Sequence, residues 1–541
     1  MPLLAAALRV ATTRAPIWLW GDQALIDIEA RNSLLGRNLL GVYDRYGWHH
    51  LGPMWLSLLG VFRWLGGGSS LSLVLGSYVV QASAAAGIVG VAGRLRPGLT
   101  AWWVALVLLG YEWTFGLERL GTVWAPYAIA LPTALFVLLV ADAVASRHPW
   151  APTLGAVVCA TFLVQTDIST AVVVTVLVLA APLLRLAAYV ARPKAKRDGS
   201  SSGRWSVEPG WGWSLGNWRL GAVALVAVTV VLWLPPAVQQ LSARPGNLVS
   251  VYRFVVAHPA YQAWRTSLKV EGTVFGSFPF RLGEQAAKRD AKPPWLVAGS
   301  PWEHLWYLVY LLLTLMAGIW AWVRRQRPAF SLAAASFTAM LAAGLSVHLV
   351  YGPLYPYLVI WTGALVVPAW AAWWLAVAPS APSPSGGRAD ALVRLAIARG
   401  RAWLVVPLVS VATAVAVTCA FVLAPVPMSG VPSLLAERSW KAVSMVALAP
   451  GVKTIYIDIA SSEAMPEAAA IADQAMRHGL RVELNPAALY FVDPSFTRRS
   501  APQLSVAVCC GRSDPGRPPA GMRFRGKVGG QDIFTSLELG K

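Results

Sequence analysis

A chain of 541 residues with 56% hydrophobic and only 13% charged residues is too apolar for an ordinary soluble domain, in which about 25% of residues carry charge. The apolar residues come in blocks near the ~20 residues that cross a bilayer core, so the class is a polytopic α-helical membrane protein. The +20 net charge does not point to nucleic acid: no basic stripe with interleaved aromatics lies on a polar domain, and much of the charge sits in short loops between spans.

Eleven candidate spans follow in chain order, at about 3–20, 70–92, 99–115, 124–144, 151–165, 169–189, 219–237, 302–323, 329–349, 354–377 and 402–424. Arg9 and Arg14 interrupt the first, and residues 1–20 carry no small-residue cleavage site of a secretory signal. Basic groups mark alternate connections: Arg94 and Arg96, Arg147 with His148, the run 192–197, Arg324 to Arg327, and Arg388, Arg394, Arg399 and Arg401. All share one side, which the positive-inside rule makes cytoplasmic. The other side is then expected to hold 21–69, 116–123, 166–168, 238–301 and everything after about 425, with the plasma membrane as the location.

Loop 238–301 is basic although external, with Arg244, Arg253, Arg265, Lys269, Arg281, Lys288, Arg289 and Lys292 against Glu271, Glu284 and Asp290. An anionic ligand and a solvated loop near anionic headgroups are both open readings. Trp102, Trp103, Trp150, Trp218, Trp302 and Trp361 fall near span ends, where amphipathic rings suit the interface. Cys159 and Cys419 read as packing residues inside spans. Cys509 and Cys510 are adjacent in a strand-like run, as buried thiols or a strained vicinal disulfide. Residues 378–390, rich in Pro, Ser and Gly, form a linker.

The chain divides into a membrane region, 1–424, and a small extracytoplasmic α/β domain, 425–541. In the latter, 452–459 reads as a strand and Pro466–His478 as a helix stopped by Gly479. Arg481–Leu484 and Leu504–Val508 read as further strands. It carries no phosphate loop or nucleophile elbow, which leaves acceptor binding, partner docking or bracing of the membrane region.

The first external loop, 21–69, is densest in groups able to do chemistry. If 22–31 is helical, Asp22, Ile26 and Glu29 share a face while Asp27 points elsewhere. Asp22 and Glu29 stand about 10 Å apart along the axis, too far for one metal ion but placed to address two ends of an extended substrate. Asp22 suits a general base toward a sugar hydroxyl; it equally suits a helix N-cap. Asp44, Arg45, His49 and His50 follow. Arg45 and the histidines suit a phosphate leaving group, or hydrogen bonds at headgroup level. The run Met54–Leu65 is too short to span and reads as an interfacial or re-entrant helix. On the same side lie Glu118 and Arg119, beside Trp124 to Tyr127, and Gln165 with Asp167, where acidic groups are costly to bury unless functional. For Asp167 simple contact with surface water is the alternative.

An Asp just after the first span, eight residues before Ala30-Arg31, resembles the opening of polyprenyl-phosphate-dependent glycosyltransferases of the GT-C fold. Gly21-Asp22-Gln23-Ala24, Tyr43 to Pro53, Trp124-Ala125-Pro126-Tyr127 and Gln165-Thr166-Asp167 are similar, in order, to segments of a largely uncharacterised actinobacterial group placed near that fold. The similarity covers about the first 190 residues. His49 and Ala125 stand where that group has Asn, Asp167 where it has His, and Gln23 where the fold's usual second acidic residue would be.

The resemblance implies a GT-C-like membrane region in which Asp22 activates the acceptor and a lipid-linked sugar phosphate occupies an outward cavity. The expected partners are a polyprenyl-phosphate-sugar donor, the bilayer and a cell-envelope glycan acceptor. The resemblance admits a divalent metal, but the residues present no ligand set. The expected function is transfer of a hexosyl or pentosyl group. A non-catalytic scaffold acting through the exported domain, and a lipid or glycan transporter, are the competing readings. No convincing internal repeat is present and most spans lack central charges, while the polar groups cluster at one membrane face, which weighs against the transporter.

Overall fold

The computed structural model describes residues 2–13, 17–44, 46–146, 148–190, 218–258, 262–278, 303–378, 431–459, 462–485, 504–509 and 522–536, with six further positions inside 411–422. Its helices are α1 (Pro2–Thr12), α2 (Asp22–Leu34), α3 (Met54–Leu65), α4 (Ser70–Leu95), α5 (Leu99–Phe115), α6 (Leu117–Leu120), α7 (Ala125–Ala128), α8 (Ala130–Ala145), α9 (Trp150–Thr166), α10 (Ala171–Val190), α11 (Trp218–Ser242), α12 (Asn247–Ala257), α13 (Trp264–Gly276), α14 (Glu303–Val323), α15 (Arg327–His348), α16 (Val366–Val377), α17 (Val431–Ala447) and α18 (Met465–Arg477).

Seven of the described helical segments are long and apolar enough to cross a bilayer: Ser70–Leu95, Ala125–Ala145, Ile168–Val190, Arg219–Ser242, His304–Val323, Arg327–His348 and Ile360–Val377. Each overlaps an expected span. The expected spans at 99–115 and 151–165 are helices of 17 residues, at the short end of the ~17–25 that suffice. The expected first span is corrected: α1 ends at Thr12, where the hydroxyls of Thr12 and Thr13 both bond back to the Arg9 carbonyl (2.9 and 2.8 Å). The span expected at 402–424 lies almost wholly outside the described residues, as does the linker after Ala378.

Burial separates the centre of the bundle from its rim. Ala125–Ala145 and Ile360–Val377 are 83% and 78% buried, whereas Arg219–Ser242 is 11% buried. The latter turns Leu220, Val223, Val226, Val230, Val231 and Leu234 outward, a patch that water would not tolerate and lipid does. Two tryptophans expected at the interface belong to the interior instead. Trp361 is fully buried, and half-buried Trp103 stacks on Trp374 at 5.0 Å.

At one end of the bundle, arginines satisfy the carbonyls that helix C-termini leave without partners. Arg96 donates to Leu375 O (2.8 Å), Arg185 to Ala143 O (3.0 Å) and Arg327 to Val144 O (2.8 Å), and Arg94 pairs with Asp142. At the other end lie α2, the two-residue strands β1 (Tyr43–Asp44) and β2 (Trp48–His49), α3 and α12. β1 and β2 pair antiparallel, with Tyr43 opposite His49.

Among the described residues the C-terminal domain has a five-stranded mixed sheet in the order β4-β3-β5-β7-β6, built from β3 (Thr454–Ile459), β4 (Arg481–Leu484), β5 (Leu504–Cys509), β6 (Met522–Val528) and β7 (Gln531–Ser536). β3 pairs parallel with β4 and β5, so β3 and β4 need a crossover, which α18 supplies. β6 and β7 form a hairpin across Gly529-Gly530, both at positive φ (61° and 93°), the backbone a tight hairpin turn requires. Cys509 is buried in β5; Cys510 lies outside the described residues.

This domain seats directly on the first loop. Asp27 of α2, with no exposed side-chain area, pairs with Arg63 of α3 (2.6 Å) and with Arg477 of α18; Arg477 also binds Asp473 (2.9 Å). Removing one partner from such a buried set costs about 3–5 kcal/mol, because a charge is left in a dry site.

Candidate active site

The N-cap of α2 is Gly21, so Asp22 is its first helical residue. The N-cap reading of Asp22 is thereby replaced. Its Oδ1 accepts a hydrogen bond from the Tyr43 hydroxyl at 2.6 Å, and the Trp124 side chain donates a second. Burial raises its carboxyl above the ordinary 3.8, and the two donors partly offset that rise by favouring the ionised form.

Asp22 opens onto a cavity of about 300 Å³ at the same end of the bundle. The hairpin supplies Tyr43, Asp44, Tyr46 and Trp48 to its wall. His50, Asp167, Trp124, Phe254, Tyr351 and Tyr357 add to its polar and aromatic lining. Rings meet closely there: Tyr46 stacks on Phe254 at 4.7 Å, His258 lies 4.7 Å from Tyr351, and Trp124 lies 4.7 Å from Tyr357.

Asp167 is buried, not surface-wetted, and caps the short 3-10 turn Ile168–Thr170 by accepting from Ser169 N at 2.9 Å. The same turn locks His50: Ile168 N–H donates to His50 Nδ1 (3.1 Å), leaving the ring proton on Nε2. Asp44 Oδ1 accepts from Tyr46 N at 2.9 Å, which holds the hairpin turn. Of the expected site residues, the structure thus brings Asp22, Asp44, His50 and Asp167 to one cavity.

Other expected site residues have structural partners away from the lining. Glu29 is buried against Asn38 Nδ2, so it does not share the cavity with Asp22. His49 is tied through Nδ1 to Gly41 O (3.1 Å), and its backbone exchanges two bonds with the Asn247 side chain (2.9 and 2.7 Å). Gln165 is a strut, donating to Leu232 O at 2.7 Å. Gly52 packs against it so closely that a Cβ would fall 2.4 Å from the Gln165 side chain, which explains a glycine at that point of the loop. Arg119 donates to Phe115 O (3.1 Å). Glu118 folds back over Gly116 near Tyr78. Tyr127 packs edge-on to Phe115 and Trp124, next to the cavity. Arg45 lies outside the described residues.

Within the loop read as basic and external, α12 supplies Phe254 to the cavity, and Glu271 is fully buried with Thr362 as its hydrogen-bond donor (2.9 Å). Arg281, Lys288, Arg289 and Lys292 lie outside the described residues. The far half of the aromatic wall, Phe254, Tyr351 and Tyr357, escaped sequence reasoning, because those rings come from positions about 200 and 300 residues beyond the first loop. Among the described residues no three His, Cys, Asp or Glu side chains converge to hold a metal ion, so Asp22, Asp44 and Asp167 do not form a ligand set.

No protein-family model and no curated protein matches the chain. Two solved structures do, over almost its full length. The crystal structure of ArnT from Cupriavidus metallidurans bound to undecaprenyl phosphate is 14% identical with a TM-score of 0.56, covering 100% of this chain and 98% of its own. The apo state of the same protein gives 14% identity and a TM-score of 0.55, with 99% and 97% coverage. Identity at this level speaks to the fold alone, and the chain has that GT-C-like membrane fold with a C-terminal α/β domain.

Proposed function

We propose that the protein is a membrane glycosyltransferase that moves a hexosyl or pentosyl group from a polyprenyl-phosphate donor to an extracytoplasmic glycan or lipid. The observation that carries this reading is Asp22: a carboxylate in the wall of an aromatic-lined cavity, held there by the Tyr43 hydroxyl. The likeness to a protein solved with undecaprenyl phosphate supports a lipid-phosphate donor. The volume, about 300 Å³, is at the low end of the ~300–1,000 Å³ of small-molecule sites. It suits a sugar head, with the isoprenoid tail in the bilayer.

Asp22 takes the proton of an acceptor hydroxyl as its oxygen attacks the anomeric carbon. The new C–O bond forms while the bond from that carbon to the phosphate oxygen breaks, and the lipid phosphate leaves with the electron pair. His50, with its proton on Nε2, is the described basic group at the cavity able to donate toward the departing oxygen. The ring pairs offer flat surfaces to the apolar faces of a sugar. The arginine-rich end of the bundle is the cytoplasmic one by the positive-inside rule, which puts the cavity and the C-terminal domain outside, at the plasma membrane.

The test is purified protein in lipid with a panel of radiolabelled polyprenyl-phosphate sugars, wild type beside Asp22→Asn. Turnover of one donor, lost in the variant, is expected. A folded wild type that binds none of them would point to the scaffold reading.

A further inference from the structure

α2 and α18 lie side by side and run in the same direction. Gly21 N donates to Pro466 O (3.4 Å) at their starts, and Arg31 Nη1 donates to Met476 O (3.3 Å) at their ends, the same offset of 445 residues at both points. Between these pins sits a closed ionic set. Asp27 is held by Arg63 on one oxygen and Arg477 on the other, and Arg477 also grips Asp473 through Nε and Gly68 O through Nη1 (2.8 Å). Asp473 is 2% exposed in its side chain, Arg63 15% and Arg477 16%.

Apolar packing alone would not fix α2 this way. The helix is buried almost all round, so no single greasy stripe sets its rotation. α18 buries Ala468, Ala469, Ala470, Ala472 and Ala475, small side chains that offer shallow ridges and tolerate sliding. Buried ion pairs add little net stability over apolar packing, and their best-attested use is to specify register. Asp27 and Asp22 are five residues apart, so they leave the helix on well-separated sides, one toward α18 and the other toward the cavity.

We propose that the C-terminal domain sets the position of Asp22, with Arg477 and Asp473 as positioning residues that act through Asp27. This rests on the glycosyltransferase reading of the cavity. With side chains reaching ~5–6 Å from a helix axis, a rotation of about 10° carries the Asp22 carboxylate about 1 Å. A misplacement of that size costs on the order of 10²-fold in rate. A domain with no phosphate loop or nucleophile elbow of its own thereby takes part in the reaction.

The full chain in lipid is assayed as wild type, Arg477→Gln, Arg477→Lys, Asp27→Asn and the double variant Asp27→Asn/Arg477→Gln. Hydrogen exchange over 21–26 and 465–477 is read beside kcat and KM. Arg477→Gln should lower kcat about 10- to 100-fold with donor KM within about twofold. The 465–477 segment should stay protected while exchange quickens at 21–26. The double variant should lose no more than the worse single one, because the two side chains act as a unit. Arg477→Lys keeps the charge opposite Asp27 without the fork, so it folds and falls between wild type and Arg477→Gln. Wild-type kcat in a folded Arg477→Lys and Arg477→Gln would overturn the proposal and leave the glycosyltransferase reading standing. Loss only in variants whose 465–477 segment has lost protection would reduce the set to a brace and overturn it equally. A wild type with no turnover of any donor would remove both.

Discussion

At one end of the bundle Arg94, Arg96, Arg185 and Arg327 are each bound to a carbonyl or carboxylate of a neighbouring helix. At the other end Asp22, Asp44, His50 and Asp167 face a shared cavity, each oriented there by a hydrogen bond to a neighbouring group. Charged side chains at a membrane boundary therefore serve two purposes that sequence alone renders alike. Where they fill unpartnered helix-terminal carbonyls they hold the bundle together. Where they line a cavity and are oriented by neighbouring donors they are placed for chemistry. Variants at the cavity end should change rates without changing folding, and variants at the arginine end should do the reverse.

The largest expected effect is at Asp22. Asp22→Asn keeps the size and the hydrogen bond to Tyr43 but loses the base, so turnover should fall about 10²- to 10⁴-fold while the melting temperature in detergent holds. A parallel fall in melting temperature would blur the difference between the two ends.

Tyr43→Phe is the next lever. Asp22 must be ionised to act, and burial raises its pKa above 3.8, so the acidic limb of kcat/KM should lie above that value, with activity rising as pH rises through it. Removing the Tyr43 donor removes a contribution that lowers the pKa, so the limb should move to higher pH. A limb displaced downward would contradict the assignment of the titrating group.

The arginine end supplies the reverse case. Arg94→Gln leaves Asp142 without its partner, and should lower stability by about 1 kcal/mol, read as melting temperature, with kcat unchanged. Smaller in scope is Glu467 in the C-terminal domain, whose carboxyl burial pushes up to about 7. A folded-state pKa above the unfolded value means its contribution is most favourable below the usual 4.5 and is lost as pH rises through about 7. Glu467→Gln should therefore raise stability by about 1–3 kcal/mol at pH 8 and by little at pH 4.5. An equal gain at both would show that shape, not charge, sets the effect.

Much of the fold was legible because periodicity and breakers are local. Met54–Leu65 and the succession of strand, helix and strand from 454 to 484 could be read directly from spacing and Gly479, and the helix starting at Asp22 stood as a conditional reading. The β6–β7 hairpin was missed although Gly529-Gly530 announces it, because β6 has a single buried residue and lacks clean alternation. α17 was missed because it follows a stretch read as the end of a span. In the site, residue type gave the carboxylates, but polarity says nothing about direction. Glu29, His49, Gln165 and Arg119 looked as available as Asp22, and only their partners Asn38, Gly41, Leu232 and Phe115 show them occupied. The tie from Asp27 to Arg477 spans 450 residues and leaves no local signal at all.

The most direct test of the account is a single-turnover measurement with donor already bound. Asp22→Asn should bind the polyprenyl-phosphate sugar with unchanged Kd and yet transfer sugar about 10²- to 10⁴-fold more slowly on adding acceptor. Transfer at the wild-type rate constant in that variant would contradict the account, because the carboxylate around which the cavity is built would then have no part in the reaction.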